Sequence, residues 1–370
     1  MSNTDNILIT GAAGQLGVEL TTHLRARYGA DKVIATDIRK NKSISDSGPF
    51  EELDVLDQTR LAGLVRDRGI GTIYHLAAIL SAKGEANIQW TWKLNMDGLL
   101  NVLEVVRERM EEGKDDAAED RNDSNEQVST QRHTSTQRHA STQRHTSTQR
   151  HASTQRHTSA QRHASTRGMQ IFWPSSIAVF GPDLPREQTP QNSPLNPTTV
   201  YGITKVAGEQ LCAYYHRRFG VDVRSVRYPG LIGNKSEPGG GTTDYAVDML
   251  LAASRGEAFT SPLKPDTRLP MMFMDDAVKA ATELMDADGS KLRVRTSYNL
   301  TAMSFSPGEL RDAIREHVDG FDVAYRPDHR EEIAASWPDS IDDSHARRDW
   351  KWEPGFDLKA MVREMLPGAE

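Results

Sequence analysis

Short apolar runs alternate with stretches of helical periodicity along most of the chain. The runs are four to seven residues long, as buried strands are, and the stretches between them place apolar residues three and four apart. The predicted strands are Ile7–Thr10, Lys32–Thr36, Glu52–Val55, Thr72–Ala78, Met169–Trp173 and Val221–Val226. The predicted helices extend to about Tyr28, cover Leu56–Arg68 and Ile88–Met110, and begin again at Tyr201. This alternation predicts an α/β fold with a parallel sheet.

After Arg227 the alternation becomes irregular. Short strands at Tyr298–Leu300 and Val323–Tyr325 mix with a helix at Pro307–Val318, and a flexible loop at Glu237–Tyr245 leads into another helix. Such a mixture is typical of a smaller lobe beside the main sheet. We therefore expect a doubly wound parallel sheet with a smaller C-terminal lobe.

One internal stretch is polar and repetitive. From Ser129 the unit Ser-Thr-Gln-Arg-His, followed by Thr or Ala, recurs with a period of six residues, which matches no helical seam. Because it buries too little surface to offset ordering entropy, residues 114–167 are predicted to be a disordered, solvated insertion. Metal binding by its histidines is disfavoured, since an arginine precedes each one. The predicted division is 1–113 and 168–227 for the main domain, and 228–370 mainly for the smaller lobe and C-terminal packing segments.

Composition narrows the classes of function. The net charge is -7, and the insertion carries nine basic and six acidic residues, which leaves about -10 on the other 316 residues. This acidity gives no indication of nucleic-acid binding. The single cysteine, Cys212, excludes an internal disulfide and suits a reducing compartment. Neither a signal peptide nor an apolar run of ~18 residues is present, so we expect a cytoplasmic protein without a membrane partner.

A glycine-rich turn follows the first predicted strand directly. Glycines spaced three residues apart allow a tight turn, let backbone N–H groups approach a pyrophosphate, and let the next helix pack closely. The N-terminus of that helix adds positive potential where phosphates would bind. The predicted cofactor contacts in this turn are Gly11, Gly14, Gln15, Leu16 and Gly17. A glycine turn between a strand and a helix predicts a dinucleotide-binding domain of Rossmann type.

Asp37 ends the second predicted strand, 20 residues after Gly17. A carboxylate there accepts hydrogen bonds from both ribose hydroxyls and repels a 2′-phosphate, so NAD is predicted rather than NADP. Asp54 is expected near the adenine, although a helix N-cap is an equally simple role for it. Further cofactor contacts are predicted where later strands end, at Val55, Leu76, Ala77, Ala78, Tyr228 and Pro229.

Tyr201 and Lys205 stand four residues apart in a predicted helix, so their side chains leave the same face. A phenol ordinarily titrates near pH ~10, and a neighbouring ammonium should lower its pKa. A Tyr tuned in this way can accept the proton of a substrate alcohol. Lys205 can also bind the nicotinamide ribose. The pair is therefore a candidate for catalysis, although a helix that merely contains both residues is the simpler explanation.

Two further side chains fit this setting. Ser176 lies where a parallel strand ends, and its hydroxyl can bind the substrate oxygen while Tyr201 removes the proton. Ser175 competes for the same role. Asn95, on the helix before the insertion, can hold a water molecule behind Lys205 that provides a route for protons. We also expect Asn95 to contact the cofactor.

These motifs together resemble the extended short-chain dehydrogenase/reductases, and more narrowly the L-threonine 3-dehydrogenases among them. The narrower resemblance is carried by Phe172–Gly181, Pro238–Tyr245, Leu263–Met272 and Ile333–Asp343, and the resemblance covers the chain except its repeat. It implies oxidation of the L-threonine 3-hydroxyl to 2-amino-3-oxobutanoate with NAD. It also implies a homodimer, and a substrate site formed by Ser81, Ser176, Tyr201 and Thr242.

Two other functions remain open at this point. A nucleotide-sugar epimerase or dehydratase shares the core and the Ser-Tyr-Lys set, but no sequence feature demands a pocket for a nucleotide base. A non-catalytic, NAD-sensing protein would bind NAD with the same fold but catalyse no reaction. The presence of all three residues of the Ser-Tyr-Lys set argues against this function. No metal site is predicted.

Overall fold

The computed structural model describes residues 5–114, 168–233, 235 and 241–366. Its main layer is a seven-stranded sheet in which every neighbouring pair is parallel. The strands of this sheet are β1 (Asn6–Thr10), β2 (Val33–Asp37), β3 (Phe50–Glu52), β4 (Ile70–His75), β5 (Gln170–Ser176), β6 (Asp222–Tyr228) and β10 (Tyr298–Asn299). The predicted fold class, a Rossmann-type α/β fold, is confirmed.

The order of the strands determines where a ligand can bind. Across the sheet the order is β3, β2, β1, β4, β5, β6 and β10. The chain builds outward from β1 to β3 and then crosses back to β4 on the other side of β1. The strand order therefore reverses between β1 and β4. The connections that leave these two strands run in opposite directions, which opens a crevice at their carboxyl ends.

Helices cover both faces of the sheet. Two buried apolar clusters separate the layers. One joins the helices Gln15–Tyr28 and Met274–Asp286 to the sheet, and the other joins the helices Gln58–Asp67, 98–114 and Val200–Phe219 to its opposite face. The helices are α1 (Gln15–Tyr28), α2 (Lys42–Asp46), α3 (Gln58–Asp67), α4 (Ser81–Glu85), α5 (Ile88–Trp92), α6 (98–114), α7 (Val200–Phe219), α8 (Tyr245–Ser254), α9 (Met274–Asp286), α10 (Pro307–Arg315), α11 (His329–Ala335), α12 (Ser344–Trp350) and α13 (Leu358–Met365).

A smaller lobe stands beside the carboxyl ends of the strands. It contains a three-stranded sheet of β7 (Gly230–Ile232), β9 (Leu269–Phe273) and β11 (Met303–Phe305), and a two-stranded sheet of β8 (Phe259–Ser261) and β12 (Val323–Tyr325). A third apolar cluster, with α8, α10 and α13, forms its core. The chain after residue 228 does not stay in this lobe, because α9 packs on α1 and β10 pairs with β6 in the main sheet.

Several element boundaries differ from the sequence-based predictions. The predicted strand Glu52–Val55 is instead β3, which ends at Glu52, because the chain turns at Asp54. The fourth strand ends at His75, before its predicted end at Ala78. The predicted helix Ile88–Met110 is interrupted by a π-helical turn at Lys93–Asp97. The predicted insertion at residues 114–167 lies outside the described residues except for Lys114. Residues 237–240 of the loop predicted to be flexible also lie outside them.

Among the residues that the structure describes, no helix combines the length and apolarity needed to cross a bilayer.

Candidate active site

The glycine turn between β1 and α1 has little room for side chains on its inner side. Gly11 has a φ of +73°, and a Cβ there would lie 2.6 Å from the backbone N of Ala77. A Cβ on Gly17 would lie 2.3 Å from the carbonyl oxygen of Gly11. Gly14, the N-cap of α1, supplies no side-chain cap, and its Cβ would meet only the Gly11 oxygen, at 3.4 Å. The first N–H groups of α1 therefore face a space that a pyrophosphate fits.

Asp37 ends β2 beside this turn and is buried. Its carboxylate accepts the backbone N–H of Ala13 at 3.0 Å and that of Arg39 at 3.0 Å. These two bonds fix the carboxylate next to the glycine turn, as a ribose ligand requires. The glycine turn and Asp37 together fit a dinucleotide.

Asp54 has a different local role from the N-cap considered for it. Its side chain is exposed and accepts the N–H of Leu56 at 2.9 Å, whereas Asp57 caps α3 by accepting the N–H of Arg60. Val55 is buried, and its side chain would contact a Cβ on Gly98 at 3.0 Å. Asp37, Asp54, Val55 and Ala77 do not line the cavity described next, so their predicted contacts with a cofactor remain predictions.

One cavity collects most of the predicted site residues. It extends from the glycine turn across the ends of β4 and β5 to the smaller lobe. Its lining includes the predicted residues Gly11, Gly14, Gln15, Leu16, Gly17, Leu76, Ala78, Ser81, Ser176, Tyr201, Lys205, Tyr228, Pro229 and Thr242. Among the described residues, no group of three or more His, Cys, Asp or Glu side chains is arranged to hold a metal ion.

Tyr201 lies in the first turn of α7, which Thr199 caps by accepting the N–H of Gly202 at 3.0 Å. Burial raises the pKa of the Tyr201 phenol to about 12, and a hydrogen bond with Ser176 partly opposes that rise. Ser175 points elsewhere, because its hydroxyl donates to the buried carboxylate of Glu209 at 2.7 Å. The contact with Tyr201 favours Ser176 over Ser175 as the catalytic serine.

Lys205 is buried behind the phenol. Its Nζ donates to the carbonyl oxygen of Pro174 at 2.6 Å and lies 4.6 Å from the ring centroid of Trp173 and 5.5 Å from that of Tyr201. Burial lowers the pKa of Lys205 to about 7. The prediction that Lys205 brings the pKa of Tyr201 below its usual value is therefore wrong, because loss of solvent dominates both groups.

Asn95 lies in the π-helical turn and does not line the cavity. Its Oδ1 accepts the N–H of Ile79 at 2.8 Å, and its Nδ2 donates to the Ile79 carbonyl at 3.2 Å and to Thr204 Oγ1 at 3.1 Å. Thr204 in turn donates to the carbonyl of Tyr201 at 2.7 Å. Asn95 thus links the loop after β4 to the helix of Tyr201. A water route through Asn95 remains a prediction.

Ser81 and Thr242 meet across the cavity, although they come from different lobes. Their hydroxyl oxygens are 3.4 Å apart, and both side chains are buried. Ser81 begins α4, and Glu85 at the end of α4 accepts the N–H of Val200 at 2.8 Å. The helix that begins at Ser81 is therefore hydrogen-bonded to Val200, the residue just before Tyr201.

Several lining residues were not predicted from the sequence. Asp244 and Trp337 both line the cavity from the smaller lobe and are buried. Each lies in a stretch that resembles the L-threonine 3-dehydrogenases, but no local motif assigns it a role. Only the packing of α11 against the turn Thr242–Asp244 brings these segments together.

Comparisons with known proteins find matches over most of the chain. The family model "NAD dependent epimerase/dehydratase family" matches residues 7–300. An uncharacterized epimerase/dehydratase of Staphylococcus saprophyticus is 43% identical over 367 residues, which are 98% of this chain and 97% of that protein.

Two solved structures have similar folds over nearly the whole chain. A GalE-like L-threonine dehydrogenase from Cupriavidus necator, in its holo form, is 45% identical with a TM-score of 0.81, covering 99% of this chain and 100% of that one. A monomeric L-threonine 3-dehydrogenase of metagenomic origin, in its apo form, is 42% identical with a TM-score of 0.80, covering 98% of both chains.

These matches support an NAD-dependent oxidoreductase, and the chain belongs to the NAD-dependent epimerase/dehydratase family, of the extended short-chain dehydrogenase/reductase type.

Proposed function

We propose that this protein oxidises the 3-hydroxyl of L-threonine to a ketone, giving 2-amino-3-oxobutanoate. The observation that carries the proposal is that one cavity holds the glycine turn, Tyr201 with its Ser176 partner, and the Ser81–Thr242 pair. A small polar substrate can reach the base, the cofactor site and two hydroxyl groups at once. The similar L-threonine dehydrogenases support threonine as that substrate.

In this proposal the side chains of the cavity have separate roles in binding the substrate and in accepting its proton. Ser176 holds the substrate oxygen, and Tyr201, as its phenolate, accepts the hydroxyl proton and becomes a neutral phenol. Ser81 and Thr242 hold the remaining polar groups of the amino acid. Lys205, whose Nζ donates to the carbonyl of Pro174, joins the end of β5 to α7 and would bind the nicotinamide ribose.

The glycine turn would hold the pyrophosphate of NAD, and Asp37 would hold its adenine ribose. When bound, NAD supplies the hydride acceptor and a positive ring charge that favours a nearby anion.

The test measures the formation of NADH from NAD and L-threonine through the absorbance of NADH. Tyr201→Phe should lower kcat by at least about 10²-fold, since general-base catalysis typically contributes ~10²–10⁴-fold. Near-normal turnover by that variant would reject Tyr201 as the base. No NADH from threonine, with interconversion of UDP-sugars instead, would favour the nucleotide-sugar alternative. NAD binding without turnover of any alcohol would favour the NAD-sensing alternative.

We further infer that the protein is a homodimer and acts in the cytoplasm, where the buried Cys212 thiol would stay reduced. The support for the dimer is a set of large apolar side chains exposed on α5, α6 and α7, of which α5 packs on α7. They include Trp92, Leu100, Ile203 and Tyr214, each between 39% and 47% exposed. A patch of this kind is typical of an interaction site.

A further inference from the structure

The buried face of α7 carries three polar side chains spaced four residues apart: Tyr201, Lys205 and Glu209. The last two contact consecutive residues at the end of β5. Lys205 Nζ donates to the carbonyl oxygen of Pro174 at 2.6 Å, and Glu209 Oε1 accepts the hydroxyl of Ser175 at 2.7 Å. The proposed reaction assigns a role to Tyr201 and Lys205 but leaves the buried carboxylate of Glu209 without one.

Arg227 fixes the carboxylate of Glu209. Its Nε donates to Oε1 at 2.9 Å and its Nη2 to Oε2 at 2.8 Å, and the two side chains are only 4% and 0% exposed. Arg227 lies opposite Ser175 in the pairing of β5 with β6, and its Nη1 also donates to the Gln191 carbonyl and to Asn299 Oδ1. Two parallel charge-assisted bonds hold the carboxylate in one orientation beneath α7.

The fixed carboxylate acts on Lys205, one helical turn away. Residues four apart on a helix are neighbours, with about 5–6 Å between their Cβ atoms. Lys205 is 3% exposed, and opposite charges attract more strongly in such dry surroundings. Burial lowers the pKa of Lys205 to about 7, and the negative charge of Glu209 opposes that fall.

The other titratable groups around Lys205 are neutral near pH 7. Burial raises the pKa of the Cys212 thiol and raises that of the Tyr201 phenol to about 12. Burial and the charge of Lys205 lower the pKa of His75, on β4, to about 3. Among the described residues, Glu209 is therefore the anion that favours the charged form of Lys205.

The charge of Lys205 determines how many hydrogen bonds it can donate. An ammonium has three donors, so the one bonded to Pro174 leaves two for ribose hydroxyls, whereas a neutral amine keeps only two N–H groups in all. We propose that Glu209 is a positioning residue, whose fixed carboxylate keeps Lys205 in its ammonium form and so sets the pH range in which Lys205 binds the nicotinamide ribose. This inference rests on the role of Lys205 in the proposed function.

The test measures the Kd of NADH by its fluorescence between pH ~5 and ~9 in the wild type and in Glu209→Gln. In the wild type the Kd should rise with pH through a midpoint of about 7, as Lys205 loses its proton. The amide of Glu209→Gln still accepts from Ser175 but carries no charge. Its midpoint should lie lower by about one pH unit or more, since a nearby opposite charge shifts a pKa by ~1–3.

The matched control is Arg227→Lys. It disturbs the same buried pair, because an ammonium cannot form the two parallel bonds, but it leaves a cation beside the carboxylate of Glu209. Its midpoint should therefore stay at about that of the wild type, near 7. Thermal unfolding reports whether each variant is folded. Should Glu209→Gln fail to fold with Arg227 unpaired, Glu209→Gln/Arg227→Gln removes both charges and should show the same downward shift.

Equal downward shifts in Glu209→Gln and Arg227→Lys would show that the pair only holds α7 against the sheet, and an unchanged midpoint in Glu209→Gln would reject the inference outright. A wild-type Kd that does not vary with pH, together with an unchanged Kd in Lys205→Met, would instead reject the ribose-binding role of Lys205 itself. The two failures are therefore distinguishable.

Discussion

Tyr201 and Lys205 lie one helical turn apart, and both are almost completely buried. Burial disfavours the charged form of each, so the pKa of the phenol rises to about 12 while that of the ammonium falls to about 7. The hydrogen bond from Ser176 is the protein interaction that lowers the pKa of Tyr201. At the residue scale, the pKa of Tyr201 therefore depends on its burial and on Ser176.

Removing that hydrogen bond should shift the pH dependence of catalysis. Because the pKa of Tyr201 lies near 12, its basic form increases with pH, and kcat/KM should rise between pH ~7 and ~10. Ser176→Ala should lower kcat/KM by at least about tenfold and move the rise to higher pH. Ser175→Ala is the control, since Ser175 bonds Glu209 instead. A shifted profile in the control alone would make Ser175 the catalytic serine.

The lowered pKa of Lys205 has a consequence for stability. Its pKa falls from 10.5 to about 7 on folding, so between these values the unfolded chain binds more protons and wild-type stability should increase with pH. Lys205→Met removes this contribution. The free energy of unfolding of the variant, relative to the wild type, should therefore fall by more than about 1 kcal/mol from pH ~7 to ~10.

Urea unfolding at several pH values measures this difference. Lys93→Met, at an exposed position, is the matched control. A difference that stays constant with pH would mean that Lys205 is protonated to the same extent in the folded and unfolded chains.

The element that organises the site is α7. Its first turn packs on the short turn Ile177–Val179 after β5, and its N-terminal N–H groups bond Thr199 and Glu85. Gly202 allows this packing, because a Cβ there would lie 2.1 Å from the carbonyl oxygen of Ala178. The distance between Tyr201 and Ser176 therefore depends on how closely α7 approaches β5.

Gly202→Ala should separate these elements. The added methyl group must displace the backbone near Ala178, so we expect a loss of about 1–3 kcal/mol in the free energy of unfolding and at least about a tenfold loss of kcat. Gly63→Ala, in α3, meets nothing within 4 Å and should be neutral or stabilise by up to about 1 kcal/mol. Urea unfolding and NADH formation measure both effects. Full activity in Gly202→Ala would show that the site tolerates a shift of α7.

At the scale of the whole molecule, the exposed apolar side chains of α7 and the preceding helices lie on one face of the sheet. Ile203 and Tyr214 are both 47% exposed, and they are eleven residues apart, which keeps them on one side of α7. Covering these side chains with a second copy would remove them from water. The similar metagenomic enzyme is described as monomeric, so the oligomeric state is not common to all such folds.

We expect the wild type to sediment as a dimer in analytical ultracentrifugation. Ile203→Glu should shift the mass to that of a monomer, because a carboxylate buried in the interface would lack a partner. Arg255→Glu, at an exposed position just after α8, is the control and should remain dimeric. A monomeric wild type would contradict the proposed homodimer.

Replacing residues 114–167 with a short Gly-Ser linker tests the predicted insertion. The described chain breaks off at the end of α6 and resumes just before β5. Because this stretch is predicted to be solvated and without a catalytic role, kcat/KM for threonine should stay within about twofold of the wild type and the sedimented mass should change only by the deletion. Loss of activity or of the dimer would instead make the repeat an interaction module.

Local sequence determined the parts of this protein whose geometry depends on neighbouring residues. The glycine turn and the spacing of Asp37 follow from backbone sterics and strand length, so the sequence alone predicted the fold and NAD. The four-residue spacing of Tyr201 and Lys205 likewise predicted that they share a helix face.

Tertiary structure decided whatever depends on contacts between distant segments. It directs Ser176 to Tyr201 and Ser175 to Glu209, it connects Asn95 to Thr204, and it places Asp244 in the cavity. It also raises the pKa of the Tyr201 phenol, which the sequence predicted to be lowered. The physical reason is that desolvation depends on how many layers of packed chain surround a group, and a short motif does not encode that number.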